Sequence, residues 1–177
     1  NTLIAELSSS TTESLDKLTA NADFNFDDIT SADEDSTTAK EDPSSIDVDD
    51  APVVRFFHKM LVDAVNSRAS DLHFEPYEFT YRVRFRIDGE LHEVASTPPA
   101  IKDRLASRIK VLSKLDISEK RIPQDGRMKL KLGPERTIDL RVSTLPTVFG
   151  EKIVIRILDP SSAKMGIDAL GYDPAEK

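Results

Sequence analysis

Two periodicities divide the chain from Ala51 onward. Val53, Phe56, Phe57, Met60, Leu61, Ala64 and Val65 recur at helical spacing and predict a helix with one wide buried face. Asp49-Asp50-Ala51-Pro52 marks its start, because an aspartate carboxylate caps free N–H groups and proline is tolerated in a first turn. His58 falls on the flank of this helix and is assigned no role. A second helix is predicted over residues 98–115, opened by Pro98-Pro99, with Ile101, Leu105, Ile109 and Leu112 inward. Lys102, Arg104, Arg108, Lys110 and Lys114 cover the rest of it, a pattern usual for a solvated face. Elsewhere the period is two. Residues 70–76 read as a strand stopped by Pro76, and Tyr81, Val83, Phe85 and Ile87 form the inward side of a second. Asp88-Gly89 then supplies a tight turn. The return strand, Glu90 to Ala95, sets Arg84 opposite Glu93 and leaves Leu91 on the arginine side, so either a bulge intervenes or that side is covered. Met128–Leu132, Thr137–Ser143 and Lys152–Leu158 complete the strands, and Asp116–Arg127 is a connector rich in turn signals, among them Asp125-Gly126. The fold class is α+β: an antiparallel sheet of about five or six strands with helices packed on it.

Charge changes the picture of the first part of the chain. Residues 1–50 hold 14 acidic and 2 basic side chains, whereas residues 51–177 hold 18 and 22, so the overall net charge of −8 describes the first segment only. That segment is rich in Ser, Thr and Asp and too poor in apolar residues to offset its ordering entropy. Residues 1–48 are expected to be a disordered, flexible acidic linker, 49–160 the folded domain, and 161–177 the start of another linker. The chain has no cysteine, which removes disulfides and thiolate zinc sites. No apolar run has the length of a membrane span, and no basic-plus-apolar leader opens the sequence, so a soluble cytoplasmic protein is expected.

Two places hold candidate chemistry. His73 and Glu75 share one face of their strand, opposite Leu72 and Phe74; a His-x-Glu pair can bind a metal or shuttle a proton, but two ligands are too few for a metal assignment, and none is made. The second place is the last pair of strands. Arg156 interrupts the apolar run Ile153-Val154-Ile155-Arg156-Ile157-Leu158, and Arg141 does the same in Ile138-Asp139-Leu140-Arg141-Val142. An arginine in such a position costs stability unless it meets an anion. Pairing of the strands across Thr144–Glu151 would set Arg141 and Arg156 opposite each other, and planar guanidinium groups suit bidentate contact with phosphate. Salt bridges to Asp139, Glu151 or Glu119 are the competing explanation. No aromatic stacking platform accompanies the basic helix, so nucleic acid is not expected as a partner.

Seven blocks in order carry a family resemblance over residues 49–175. They are 50–54 (Asp-Ala-Pro-Val-Val), 69–75 (Ala-Ser-Asp-Leu-His-Phe-Glu), 84–89 (Arg-Phe-Arg-Ile-Asp-Gly), 115–121 (Leu-Asp-Ile-Ser-Glu-Lys-Arg), 123–127 (Pro-Gln-Asp-Gly-Arg), 139–146 (Asp-Leu-Arg-Val-Ser-Thr-Leu-Pro) and 150–158 (Gly-Glu-Lys-Ile-Val-Ile-Arg-Ile-Leu). Together they resemble the second N-terminal domain of the type II/IV secretion ATPases, and Ser161–Asp168 leans toward the pilus-extension branch over type II secretion. The resemblance implies a PAS-like domain above a RecA-like motor domain in a homohexameric ring, cytoplasmic and peripheral to the inner membrane. It implies that Arg141 and Arg156 reach the phosphates of ATP, held with Mg by the motor domain, and it moves the anion reading ahead of the salt-bridge one. Asp71, His73, Glu75, Arg84 and Arg86 would serve domain or subunit packing. Implied partners are the motor domain, neighbouring subunits and the inner-membrane pilus platform protein. No Walker A loop, acidic magnesium-binding segment or four-cysteine motif occurs in the sequence, so this chain is expected to be a fragment without catalytic residues or ATP hydrolysis of its own. Sensing of a nucleotide or cyclic dinucleotide, and pure interaction with the platform protein, are the alternative roles.

Overall fold

The apolar stripe of the first predicted helix is buried along its whole length. In the computed structural model, which describes residues 13–17, 29–32 and 51–159, helix α1 runs Ala51–Asn66 and buries Phe56, Phe57, Leu61 and Ala64 completely. The Phe57 ring meets Phe74 of the sheet at 5.9 Å in a tilted arrangement, a favoured aromatic geometry. The proposed cap at Asp49-Asp50 and the segment 161–177 lie outside the described residues.

Seven strands make one antiparallel sheet: β1 (Ile29–Ser31), β2 (Asp71–Pro76), β3 (Tyr81–Ile87), β4 (Glu90–Thr97), β5 (Gln124–Lys131), β6 (Thr137–Thr147) and β7 (Gly150–Leu158). Their spatial order is β1-β5-β6-β7-β2-β3-β4. Helix α2 (Lys102–Leu112), preceded by a single 3-10 turn at Pro99–Ile101, joins β4 to β5. Leu72, Phe74, Val83, Phe85, Ile153, Ile155, Leu140, Val142, Met128 and Leu130 all join one core cluster with the helices. The alternate residues of the same strands therefore point to the opposite face, over which no helix of the described residues lies.

Four details depart from the sequence reading. The sheet gains a strand from within the acidic segment: Ile29–Ser31 pairs with Leu130–Met128 of β5, and Leu15 of the helical turn at 13–17 is also buried in the core. The β3–β4 hairpin keeps Arg84 opposite Glu93 but shifts register between Val83 and Arg84, so that Val83 faces Ala95. This bulge turns Ala95 and Thr97 inward, but it lies beyond Glu93 and leaves Leu91 opposite Arg86, still on the arginine side and half-buried. β5 begins four residues before Met128, so Asp125-Gly126 lies inside a strand and not in a turn. Gly126 is needed there for closeness: a Cβ at this position would sit 2.5 Å from the Ser113 carbonyl oxygen. Finally, Lys110 leaves the solvated face of α2. It is 1% exposed, 2.8 Å from a Glu151 carboxylate oxygen, and donates to the Glu119 carbonyl at 2.6 Å. A fully buried ammonium is tolerated only with such partners.

Candidate arginine site

The sheet face away from α1 and α2 is built by strand register. A two-residue turn, Val148-Phe149, closes β6 onto β7 with Thr147 opposite Gly150, and counting back from it sets Arg141 directly opposite Arg156. On its other side Arg141 faces Arg127 of β5. Asp71 of β2 pairs with Arg156 and also with Arg86 of β3. One row across the sheet thus reads Arg127, Arg141, Arg156, Asp71, Arg86. Like charges directly opposite one another on antiparallel strands repel, yet three guanidinium groups stand together at one end of it.

The two ends of this row are handled differently. Asp71 is buried, and its carboxylate accepts from the Ser70 hydroxyl at 2.8 Å and from Arg156 Nε at 3.1 Å, with Arg86 Nε 3.6 Å away. Burial pushes the Asp71 carboxyl up, but the Ser70 hydroxyl and the Arg156 guanidinium together hold it below the usual carboxylate range. Arg156 is bound through Nε and remains 64% exposed. Arg127 and Arg141 are exposed, and among the described residues neither has a carboxylate within ion-pair distance. None of the three carboxylates proposed from sequence reaches Arg141 or Arg156. Glu119 pairs with Arg121 at 3.0 Å, Glu151 with Lys110, and Asp139 stands opposite Lys129.

A second cluster on the same face gathers round Glu75. Its buried carboxylate accepts from Arg84 Nη2 at 2.7 Å and Nε at 2.9 Å, and from Arg82 Nε at 3.2 Å; Lys152 Nζ lies at 3.1 Å. Burial raises its pKa, but these cations outweigh burial and bring the group down to about 2. Tyr77 stacks under the Arg82 guanidinium, 4.7 Å from the ring centre, and its hydroxyl accepts from the same residue. His73 is also buried, its Nδ1 4.0 Å from Glu75, and burial together with the Lys152 ammonium lowers its pKa below the ordinary histidine value. Arg86 donates to the Gly89 carbonyl at 2.8 Å. No group of three or more metal-ligating side chains occurs among the described residues.

The structure therefore splits the sequence-selected residues into two sets. Asp71, Arg86 and Arg156 meet in one cluster, His73, Glu75 and Arg84 in the other, and Arg141 stands beside the first with no ion-pair partner among the described residues. Sequence reading missed Arg127, Arg82, Lys152 and Tyr77. The alternation that selected Arg84 would also have found Arg82, whereas Arg127 was hidden by reading Asp125-Gly126 as a turn.

A family model for type II/IV secretion system proteins matches residues 47–177. The chain belongs to this family. Within the type II/IV secretion family it is similar to the type IV pilus assembly ATPase PilB of Acinetobacter baylyi, 62% identical over 129 residues, covering 73% of this chain and 22% of that protein. It is also similar to the type IV pilus assembly ATPase PilB of Pseudomonas aeruginosa, at 58% over 150 residues, with 85% of this chain and 26% of that protein covered. Type II secretion system protein E of Dickeya dadantii is 49% identical over 139 residues, covering 76% and 28%. The chain thus spans between 22 and 28% of the length of these curated relatives. No helix among the described residues is long and apolar enough to cross a membrane.

Proposed function

We propose that this chain is the N-terminal coupling domain of a type IV pilus assembly ATPase, and that it presents Arg141 and Arg156 to the phosphates of an ATP–Mg complex held by a motor domain of the same protein. The observation that carries this reading is the facing pair itself: two guanidinium groups, opposite one another and exposed, on the sheet face away from α1 and α2. Fixed cations aimed at a phosphoryl group stabilise the charge that spreads over it during transfer, and they do so without reorganising. Asp71 acts on Arg156 by occupying Nε, which leaves its two terminal nitrogens for the ligand. The higher identity to the two pilus assembly relatives than to the type II secretion relative supports the pilus assignment. A homohexamer attached peripherally to the inner membrane through a platform protein is the setting in which this coupling would operate.

The test uses the full-length ATPase. Arg141→Ala and Arg156→Ala are each expected to cut turnover by about a hundredfold, the scale of losing one fixed donor to developing charge, while thermal melting shows the variants folded. Unchanged turnover in both removes the role.

A further inference from the structure

The register that brings Arg141 and Arg156 together brings a third guanidinium to the same row, and neither the family match nor the relatives' names assign it anything. Arg127 lies directly across from Arg141, on the strand beyond β6. Neighbouring strands are separated by about 4.8 Å, so the row from Arg127 to Arg156 spans about 10 Å. Asp125 and Asp139, the nearest acids along β5 and β6, do not take up the charge: Asp125 accepts from the Ser143 hydroxyl, and Asp139 stands opposite Lys129. Asp71 closes one end of the row by pairing with Arg156. Toward the other end no carboxylate of the described residues lies within ion-pair distance of the cations. Gly126, immediately before Arg127, lets β5 approach within contact of the Ser113 backbone, which fixes the strand that carries Arg127.

We propose that Arg127, Arg141 and Arg156 form one site for a linear polyphosphate lying across the strands, with Arg127 as the third phosphate ligand. A triphosphate is the shortest such chain that offers one phosphoryl group to each guanidinium. This rests on the phosphate reading of Arg141 and Arg156 and extends it to a ligand length: the site distinguishes a triphosphate from a diphosphate through Arg127.

The test uses this 177-residue chain and inorganic probes at low ionic strength. Isothermal titration with orthophosphate, pyrophosphate and tripolyphosphate compares the wild type with Arg127→Gln, Arg141→Gln, Arg156→Gln and a control, Lys131→Gln, which removes a charge from the same strand and face outside the row. Affinity is expected to rise along the series of probes. Arg127→Gln should weaken tripolyphosphate by about tenfold, the worth of one charge-assisted hydrogen bond, and leave pyrophosphate within twofold. Equal losses in Arg127→Gln and Lys131→Gln overturn the third ligand while leaving the Arg141/Arg156 reading intact, provided those two variants lose binding. If none of the three arginine variants differs from the control, or the wild type does not bind tripolyphosphate, the polyphosphate site falls, and the Arg141/Arg156 reading is then decided by the turnover of the full-length Arg141→Ala and Arg156→Ala variants.

Discussion

Two cationic clusters share one face of this sheet and meet opposite fates. Around Glu75, three cations converge on one buried carboxylate, and every hydrogen-bonding direction of that group is used. Two and three strands away, Arg141 and Arg127 face each other in solvent with no carboxylate of the described residues within ion-pair distance, and of the three arginines in the row Arg156 alone pairs with one among those residues. Residue type does not separate the two clusters; the presence of an internal counter-charge does. The first cluster is a fastening of β2 to β3 and β7. The second carries an electrostatic cost that the described residues leave unanswered, the condition under which an added anion is bound with a gain.

The contrast breaks most visibly at Glu75. Glu75→Gln leaves Arg82, Arg84 and Lys152 crowded without a negative charge, and should cost about 3 kcal/mol; this is the low end for a broken buried pair, because the three cations keep some water. Thermal denaturation should register it as a fall of about 10 °C. A smaller effect is expected from Gly126→Ala. Its Cβ would press on the Ser113 backbone and shift β5, destabilising by about 1–3 kcal/mol and disturbing the arginine row while leaving the Glu75 cluster alone. Proton linkage gives a third test. The folded-state pKa of Glu75 is about 2, below the ~4.3 of an unfolded glutamate, so its contribution is complete above about pH 4.3 and is lost as the pH falls toward 2. Wild-type unfolding free energy should drop across that window more steeply than that of Glu75→Gln. The smallest effect has the opposite sign: Arg127→Gln relieves like-charge repulsion and should stabilise by about 0.2–1 kcal/mol, a gain that shrinks as salt is added. A loss of stability there would mean that Arg127 is fastened like the arginines at Glu75.

What the sequence disclosed follows from how local each contact is. The helical stripe from Val53 to Val65 and the facing of Arg141 and Arg156 were legible, because a helix period and a turn between neighbouring strands need only nearby residues. The counter-charge of Arg156 was not: Asp71 lies 85 residues away and reaches it through the pairing of β2 with β7, which no local pattern announces. Lys110 misled because its burial depends on Glu151 and the Glu119 carbonyl, both contributed by other elements. Gly126 carried a turn signal, yet its lack of a side chain serves a close approach to α2's end. Ile29–Ser31 was overlooked because three residues in a polar segment are too short to show alternation. Of the three arginines in the row, the sequence singled out Arg141 and Arg156, and Arg127 was lost with the boundary of β5.

The order of the strands has a kinetic side. β5, β6 and β7 form an up-and-down meander, so Arg127, Arg141 and Arg156 are brought together by two hairpins, events of microseconds in isolated chains. The Asp71 bridge to Arg156, and the Lys152 contact to Glu75, require β2 to find β7 across most of the domain, a search that loop-closure entropy slows. If the two hairpins close first, the row would form before its own internal anion reaches it. Polyanions present at that moment meet a more positive surface than the finished domain displays, and they should speed the early phase of refolding while leaving the late phase unchanged.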